Sequence, residues 1–206
     1  MSFRFELKLP GQKAECNALL VRLKSSGAQT LFPPRYIVSD YFDTNELDFV
    51  RESQEGSVPR RKVRVRYYPK DINKLNPEDN EGFSLEIKVS SPEGRFKTVK
   101  KISLTDFCSL QSKGMIYPEY GIIKPSVRIA YLREYFMLDG VRLTYDTKIQ
   151  SSRLRDYYKY RYVSANAMRS VIELKSQNAD SNLISDLTSG LRLERFSKYA
   201  DCFVRI

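Results

Sequence analysis

The sequence predicts an α+β protein built on a mainly antiparallel, barrel-like sheet of about eight strands with a few peripheral helices. Two observations lead to this prediction. Charged and apolar residues alternate in six short segments, which is the period of a strand with one polar and one apolar face. Turn residues separate these segments, and helical spacing occurs in few places. With 206 residues, the chain fits a single domain over 1–206.

The alternating segments share a polar face that carries mostly Arg and Lys, with a few carboxylates. They are Arg4–Lys8, Arg64–Arg66, Glu86–Lys88, Tyr131–Arg133, Arg142–Asp146 and Glu173–Lys175. A soluble sheet usually turns such a face to water, where charge pairs contribute little to stability. A closed sheet with that face inward would instead form a basic tunnel, and buried cations require a bound anion or nearby carboxylates.

In the N-terminal half, the pattern predicts strands with one clear helix. Phe3–Leu9 alternates, and Pro10-Gly11 ends that strand. Residues 12–26 have apolar side chains at helical spacing and are followed by Gly27 at the expected C′ position. A turn or helix start is expected at 43–45, and a polar loop over 69–82. Further strands are predicted at Arg35–Phe42, Arg60–Tyr68, Phe83–Val89 and Arg95–Ile102.

In the C-terminal half, a helix is predicted over Ser103–Lys113, closed by Gly114. Asp139-Gly140 between alternating stretches indicates a hairpin that joins strands 126–137 and 141–149. Two more alternating stretches follow at 153–163 and 169–175. The Tyr-rich 157–162 segment suits either plain packing or base stacking. A short helix at 183–187 and a C-terminal helix or helix-strand tail over 193–206 complete the prediction.

The net charge of +10, from 35 Lys and Arg against 25 Asp and Glu, favours an anionic partner. Candidates are a nucleotide, a phosphate polymer, nucleic acid or an acidic membrane surface. No Walker or Rossmann glycine motif is present. No apolar run approaches the roughly 20 residues of a membrane span, and the N-terminus lacks a signal-peptide core. We therefore expect a soluble cytoplasmic protein.

The chain has no histidine, which excludes a phosphohistidine intermediate, Cys-His and Ser-His couples, and His-bearing zinc sites. Cys16, Cys108 and Cys202 lie far apart and are expected to be free buried thiols. The chemistry must therefore use carboxylates, cations, hydroxyls and oxygen-bound metal ions. This donor set suits Mg²⁺ or Mn²⁺ and disfavours Zn²⁺.

Taken in order, the segments resemble the VTC domain, the tunnel domain of the vacuolar transporter chaperone polyphosphate polymerases, within the triphosphate tunnel (CYTH-like) superfamily. The stretches that carry the resemblance are Arg4–Lys8, Ser39–Thr44, Arg64–Arg66, Glu86–Lys88, Tyr131–Arg133, Val141–Asp146, Val171–Lys175 and Arg195–Tyr199. They extend over nearly the whole chain.

The resemblance implies a triphosphate tunnel that makes polyphosphate from ATP with a divalent metal, Mn²⁺ or Mg²⁺. It implies catalytic roles for Arg133, Arg142, Lys88 and Glu173, with Glu173 as metal ligand. The phosphate-binding residues that it implies are Lys8, Arg64, Arg66, Lys88, Arg133, Arg142 and Lys198, with contacts from Tyr131 and Ser197. These side chains are expected to converge on one channel, with Glu6, Glu86 and Asp146 as further candidate carboxylates.

The sequence departs from the family pattern in two respects. Hydrolase and cyclase branches of the superfamily open with Glu-x-Glu-x-Lys, whereas Arg4 occupies the first acidic position here. The phosphate-sensing and membrane-spanning parts of eukaryotic members are not in this sequence, so a free-standing, prokaryotic member with a membrane-protein partner is expected. A tunnel-type triphosphatase and a non-catalytic module that binds polyphosphate or another polyanion stay as alternatives; nucleic acid is the less favoured partner.

Overall fold

The computed structural model describes residues 5–71, 82–154, 169–176, 188 and 196–204. The strands in these ranges are β1 (Phe5–Gln12), β2 (Gln29–Asp43), β3 (Arg60–Tyr67), β4 (Phe83–Ser91), β5 (Gly94–Ile102), β6 (Met115–Tyr117), β7 (Gly121–Leu138), β8 (Val141–Arg153) and β9 (Arg169–Ser176). The helices in these ranges are α1 (Lys13–Ser25), α2 (Asp48–Glu55), α3 (Leu104–Lys113) and α4 (Lys198–Val204).

The strands hydrogen-bond in the order β1-β9-β8-β7-β2-β3-β4-β5, and β6 pairs with β7. Neighbouring strands run antiparallel wherever their register is given. The predicted α+β class, with a mainly antiparallel sheet and few helices, is confirmed. Over the described ranges the strand order is open, with β1 and β5 at its ends, whereas the sequence favoured closure. Closure depends on hydrogen bonds between end strands, which side-chain alternation does not encode.

The chain divides into two compact units. Unit 1 contains Met1–Arg35, Tyr131–Ile149 and Asn166–Phe196; unit 2 contains Tyr36–Ala130, Gln150–Ala165 and Ser197–Ile206. Each unit is described by itself below.

In unit 1, the core forms between α1 and the strands of its sheet. The apolar face of α1 buries Cys16, Leu19, Leu20 and Leu23 in a cluster that also contains Leu143 and Leu174. Leu143 and Leu174 are 1% exposed, so the side of β8 and β9 opposite their charged residues packs beneath a helix. The predicted helix over 12–26 is confirmed by α1.

The chain leaves α1 through Gly27, at φ 99°. The Ala28 amide donates to the Leu23 carbonyl at 2.9 Å, which satisfies one of the terminal carbonyls of α1. Because this positive φ strains any residue with a Cβ, glycine at the predicted C′ position ends the helix at low cost.

In unit 2, β3 shows the alternation that the sequence predicted. Val63, Val65 and Tyr67 are fully buried, while the Arg and Lys residues between them are half-buried on the other face. The Tyr67 ring contacts Phe107 of α3 at 5.7 Å between centroids. Burying these apolar side chains stabilises the sheet and fixes the direction in which the cations project.

Several boundaries differ from the prediction. Strand β2 begins at Gln29, six residues before the predicted start at Arg35. The early part was not predicted because it contains Pro33 and Pro34, which are unusual inside a strand, and because its residues are mostly exposed. Strand β6 was not predicted, since three residues are too short to show a period. The predicted 153–163 stretch from residue 155 onward, the predicted helix at 183–187 and most of the 69–82 loop lie outside the described residues.

Two cysteine predictions hold and one is wrong. Cys16 and Cys202 are buried, and Cys108 is exposed. On α3 the adjacent Phe107 takes the buried position, which turns Cys108 to solvent. Burial, followed by repulsion from Glu15, raises the pKa of Cys16 to about 11, so this thiol stays protonated and unreactive. None of the helices in the described ranges is long and apolar enough to cross a membrane.

Candidate functional site

In unit 2, the strand register places the predicted cations on one continuous face. Lys62 lies opposite Lys88 and Arg64 opposite Glu86, and Lys88 lies opposite Lys97 of β5. Directly opposed residues on antiparallel strands share a face. We call this set the unit 2 basic face; its residues are Lys62, Arg64, Arg66, Glu86, Lys88 and Lys97.

Glu86 is the central counter-charge of the unit 2 basic face. Its carboxylate accepts hydrogen bonds from Arg64 Nε and Nη2 at 2.9 and 2.6 Å and from Lys97 Nζ at 3.1 Å. Arg66 Nη1 lies 3.6 Å away. Burial alone raises the pKa of Glu86, but attraction to Arg64 and Arg66 outweighs it and lowers the pKa to about 2. Glu86 therefore stays ionised and holds the cations apart in fixed positions.

The sequence named Glu86 only as a further candidate carboxylate, and it did not indicate Lys97 as a site residue. The available signal was that Glu86 is the one carboxylate in β3, β4 and β5. Lys97 falls on the returning strand of the β4–β5 hairpin, and its position opposite Lys88 follows from the register of that hairpin.

The unit 2 basic face makes Lys88 easier to deprotonate. Desolvation and repulsion from Arg64 and Lys97 lower the pKa of Lys88 to about 8, against the opposing attraction of Glu86. Like charges held this close favour the neutral amine until an anion arrives.

We expect binding of tripolyphosphate to weaken as pH rises through about 8, because Lys88 is charged below that pH and loses its proton above it. Affinity measured by titration calorimetry from below to above this pH tests the expectation. The Lys88→Arg variant, titrated in parallel, accounts for the ligand's own protonation and should show a shallower pH dependence. Identical profiles for the two proteins would contradict the role of Lys88.

The C-terminal segment reaches the unit 2 basic face at two points. Lys62 Nζ donates to Ser197 Oγ at 2.7 Å, and the Tyr199 ring stacks on Tyr41 with centroids 4.4 Å apart. The Tyr41 hydroxyl in turn accepts from Arg64 Nη1 at 2.9 Å. The predicted residues Ser197 and Lys198 therefore belong to a segment that is fixed beside Lys62 and Arg64.

Asp43 anchors this segment. Its carboxylate accepts from the backbone amides of Phe49 and Val50 at the start of α2, at 3.0 and 3.1 Å, and from the Tyr199 hydroxyl. Burial raises the pKa of Asp43, although hydrogen bonds from Tyr199 and backbone amides oppose that rise. Burial also raises the pKa of Tyr199 well above its ordinary value, followed by repulsion from Asp43. The Tyr199 phenol therefore remains a hydrogen-bond donor.

The Tyr199→Phe variant should lose about 1–3 kcal/mol of unfolding free energy, because the buried Asp43 carboxylate loses a hydrogen-bond donor. The stacking of the ring on Tyr41 is retained. Urea unfolding measures this difference. Tyr68→Phe removes the hydroxyl of an exposed tyrosine and serves as the control, with a change within about 0.5 kcal/mol. Equal effects in the two variants would contradict the anchoring role.

In unit 1, a second charged face forms across β1, β9, β8 and β7. Lys8 and Thr144 lie opposite Glu173, and Arg142 lies opposite Lys175. We call this set the unit 1 charged face; its residues are Glu6, Lys8, Arg133, Arg142, Thr144, Asp146, Glu173 and Lys175.

Arg133 and Asp146 form a bidentate pair in the unit 1 charged face. Arg133 Nε and Nη2 donate to the two carboxylate oxygens of Asp146 at 2.6 and 2.7 Å, and Asp146 is fully buried. The fork of Arg133 is thus held by a buried carboxylate, so removing Arg133 is expected to lower the stability of the protein.

Glu173, the predicted metal ligand, is surrounded by cations. Its oxygens lie 2.9 Å from Lys175 Nζ and 3.6 Å from Arg133 Nη2. Burial by itself raises the pKa of Glu173, but Lys175, a hydrogen bond with Glu6, and Lys8 and Arg133 together bring it well below its usual range. These neighbours therefore favour the ionised form of Glu173.

The other predicted site residues differ in their contacts and in their exposure to solvent. Tyr131 lies beside Arg133, whose guanidinium is 5.3 Å from the ring centroid, and Lys8 Nζ donates to the Phe196 carbonyl at 3.4 Å. Arg142 is exposed. Arg4, at the first position of the family motif, lies outside the described residues. The structure thus groups the predicted side chains into one cluster in each unit.

The unit 1 charged face offers oxygen donors that suit a hard divalent cation. Glu173 is ionised, the Glu6 carboxyl is in hydrogen-bonding contact with it, and Thr144 lies opposite it. Asp146 is committed to Arg133. In the described ranges no group of three or more acidic or thiol side chains is placed to hold a metal. These residues therefore fit Mg²⁺ or Mn²⁺ bound by one or two carboxylates together with substrate phosphates.

Both faces contain buried polar atoms whose hydrogen-bonding capacity is unused. In the part of the chain that the structure describes, Arg66 Nε, Ser39 Oγ and Thr144 Oγ1 are buried and make no hydrogen bond. Ser39 lies opposite Arg66 in the β2–β3 register. Since buried donors are normally paired, these atoms have hydrogen-bonding capacity that the described part of the chain does not use.

Solved structures with the same fold cover almost the whole chain at low sequence identity. A candidate adenylate cyclase from Bacillus halodurans matches with a TM-score of 0.58 at 13% identity, covering 96% of this chain and 97% of that one. A protein from Pyrococcus horikoshii gives 0.57 at 15%, covering 98% and 100%. A candidate adenylyl cyclase from Hippeastrum, described as having a dominant triphosphatase activity, gives 0.57 at 12%, covering 96% and 94%.

At these identities the likeness establishes the fold, which is that of the triphosphate tunnel (CYTH-like) proteins. The family is established by sequence: the profile of the VTC domain matches residues 32–204. The chain therefore belongs to the VTC domain family. No curated protein shows significant similarity to the sequence.

Proposed function

We propose that this protein is a metal-dependent polyphosphate polymerase, which transfers the γ-phosphate of ATP onto a growing polyphosphate chain and releases ADP. The observation that carries the proposal is the pair of charged faces, in which half-buried and exposed Arg and Lys side chains lie around a few carboxylates. Membership of the VTC domain family supports the same conclusion.

The chemistry requires little from the protein beyond position and charge. Phosphoryl transfer proceeds when the attacking and leaving oxygens are aligned and the charge on the equatorial oxygens is neutralised. The attacking oxygen belongs to the terminal phosphate of the polymer, so no protein nucleophile is needed. A chain without histidine can therefore perform this reaction.

In this proposal the Arg and Lys residues have different roles. Arg66 presents a guanidinium group whose fork geometry suits two phosphate oxygens at once. Arg64, which already donates to Glu86 and Tyr41, adds positive charge beside it. Lys88, Lys97 and Lys62 add point charges on the same face. In unit 1, Lys8, Arg133 and Arg142 bind phosphate oxygens, with Tyr131 beside Arg133. Ser197 and Lys198 complete the set of proposed phosphate contacts.

Glu173, with Glu6 and Thr144 beside it, would hold a Mn²⁺ or Mg²⁺ ion that arrives with the nucleotide and neutralises phosphate charge. Glu173 also keeps Lys175 and Arg133 in place before substrate binds, since their charges would otherwise repel. When phosphate arrives, these cations are already positioned, and little reorganisation is required.

A tunnel-type triphosphatase is the second candidate, because the Hippeastrum protein of the same fold is described as a triphosphatase. A non-catalytic polyphosphate-binding module is the third. Incubating the pure protein with ATP and Mn²⁺ separates them by product. A polymerase gives long phosphate polymer and ADP in matching amounts, a triphosphatase gives orthophosphate, and a binding module gives neither. Orthophosphate without polymer, or no turnover, would refute the polymerase.

ATP and polyphosphate are thus the proposed ligands, and a membrane-bound protein is the proposed partner of a cytoplasmic enzyme. Cell fractionation tests this: the protein should appear in the cytoplasm or with membranes through that partner. Its recovery outside the cell would refute the proposed location.

A further inference from the structure

Tyr135 lies at the edge of the unit 1 charged face and is enclosed by planar side chains. It is 1% exposed. Arg35 Nε donates to its hydroxyl at 2.6 Å, with the Arg35 guanidinium 5.1 Å from the ring centroid. The Arg142 guanidinium lies 5.7 Å from the same centroid, and the Phe32 ring packs edge-on at 5.8 Å. Three planar groups therefore converge on one buried ring.

The outer surfaces of these groups remain open to a ligand. Phe32 is 52% exposed, and Arg35 and Arg142 are exposed. Aromatic rings and guanidinium planes are the side chains on which nucleobases stack. Contact with Tyr135 restricts the conformations of the Arg35 and Arg142 side chains. A ligand that stacks on them therefore loses less binding free energy to the ordering of these side chains.

This cluster is continuous with the proposed phosphate contacts. Arg142 lies opposite Lys175, whose amine contacts Glu173. Tyr135 is two residues from Arg133 on β7, which places them on the same strand face about 7 Å apart. A ligand with a flat group beside a phosphate chain would thus find both chemistries along one face of unit 1.

We propose that Phe32, Arg35 and Arg142, held around Tyr135, form a subsite for the nucleoside base of the phosphoryl donor. Phe32 offers its exposed ring to the base, while Arg35 and Arg142 flank the base and its nearest phosphate. The inference rests on the proposed use of a nucleoside triphosphate. It adds that the protein distinguishes such a donor from an inorganic oligophosphate.

Calorimetric titration of the full chain with ATP and with tripolyphosphate, both in EDTA to prevent turnover, tests this subsite. Tripolyphosphate has the phosphates without the base. Phe32→Ala should weaken ATP binding about fivefold or more and leave tripolyphosphate affinity unchanged. Fivefold corresponds to the lower end of the free energy that stacking of one base contributes. Arg35→Lys keeps the charge but removes the plane and should give the same selective loss. Phe96→Ala, at a phenylalanine of β5 that is 55% exposed, is the matched control and should change neither affinity.

Three results would overturn the subsite: no loss of ATP affinity in the Phe32 and Arg35 variants, an equal loss for both ligands, or the same loss in the Phe96 variant. Because two independent positions are tested, a variant that fails to fold does not decide the outcome. The polymerase proposal fails on a separate readout, the absence of polymer and ADP. A wild-type protein that binds neither ligand would overturn both.

Discussion

The Arg133→Ala variant is expected to lose about 3–5 kcal/mol of unfolding free energy. The change removes both hydrogen bonds to Asp146 and leaves a carboxylate with no exposed surface without its counter-charge. It also removes a cation near Glu173. Equilibrium unfolding in urea measures the loss. Activity should fall too, but for a variant this unstable only the folded fraction can be compared.

Neutralising Asp146 as well shows how much of the lost stability comes from the unpaired buried charge and how much from the lost packing of the Arg133 side chain. The double variant Arg133→Ala/Asp146→Asn should recover part of the lost stability, because no uncompensated charge is then buried. Arg142→Ala is the matched control, since Arg142 is exposed on the same sheet face and should cost less than about 1 kcal/mol. If Arg133→Ala and Arg142→Ala were equally stable, the buried pair would not be a determinant of stability.

The Glu173→Gln variant is expected to abolish turnover while leaving tripolyphosphate binding at least as tight as in the wild type. Glutamine keeps the shape but removes the charge, so the proposed metal loses its ionised ligand. The same change removes a negative charge beside Lys175 and Arg133, so the face attracts an anion more strongly. Turnover with ATP and Mn²⁺, together with calorimetric binding of tripolyphosphate, provides the two readouts.

Glu134→Gln makes the same chemical change at the residue next to Arg133, where the strand alternation turns the side chain to the other face. It should retain activity. Normal turnover by Glu173→Gln with Mn²⁺ would place the metal elsewhere. Glu6 would then be the better choice than Asp146, because both oxygens of Asp146 are already bound by Arg133.

The sequence predicted the fold class and the face of β3 that carries its cations, because alternation in a strand decides both at once. Val63 and Val65 are fully buried, so Arg64 must project to the other side. The helix over 12–26 was predictable for a similar reason, since its apolar spacing and terminal glycine are local signals. Such features depend on residues close together in the chain.

The partners of the cations could not be predicted in this way. Glu86 lies 22 residues from Arg64, and Tyr199 lies 156 residues from Asp43. These contacts depend on strand register and on the docking of the C-terminal segment. The sequence therefore predicted a phosphate-binding role for Arg133 by family resemblance but could not indicate its pairing with Asp146. The same limit applies to Tyr135, whose neighbours come from β2 and β8.

The most direct measurement of the central claim, that these charged faces hold oligophosphate, is binding of tripolyphosphate to variants of β3 and β5. Arg66→Ala removes a cation whose buried Nε makes no hydrogen bond in the described part of the chain, and should weaken binding about tenfold or more. Lys100→Ala removes an exposed lysine opposite Leu85, on the other face of the same hairpin, and should leave affinity nearly unchanged. Equal losses in the two variants, or no binding by the wild type, would contradict the account.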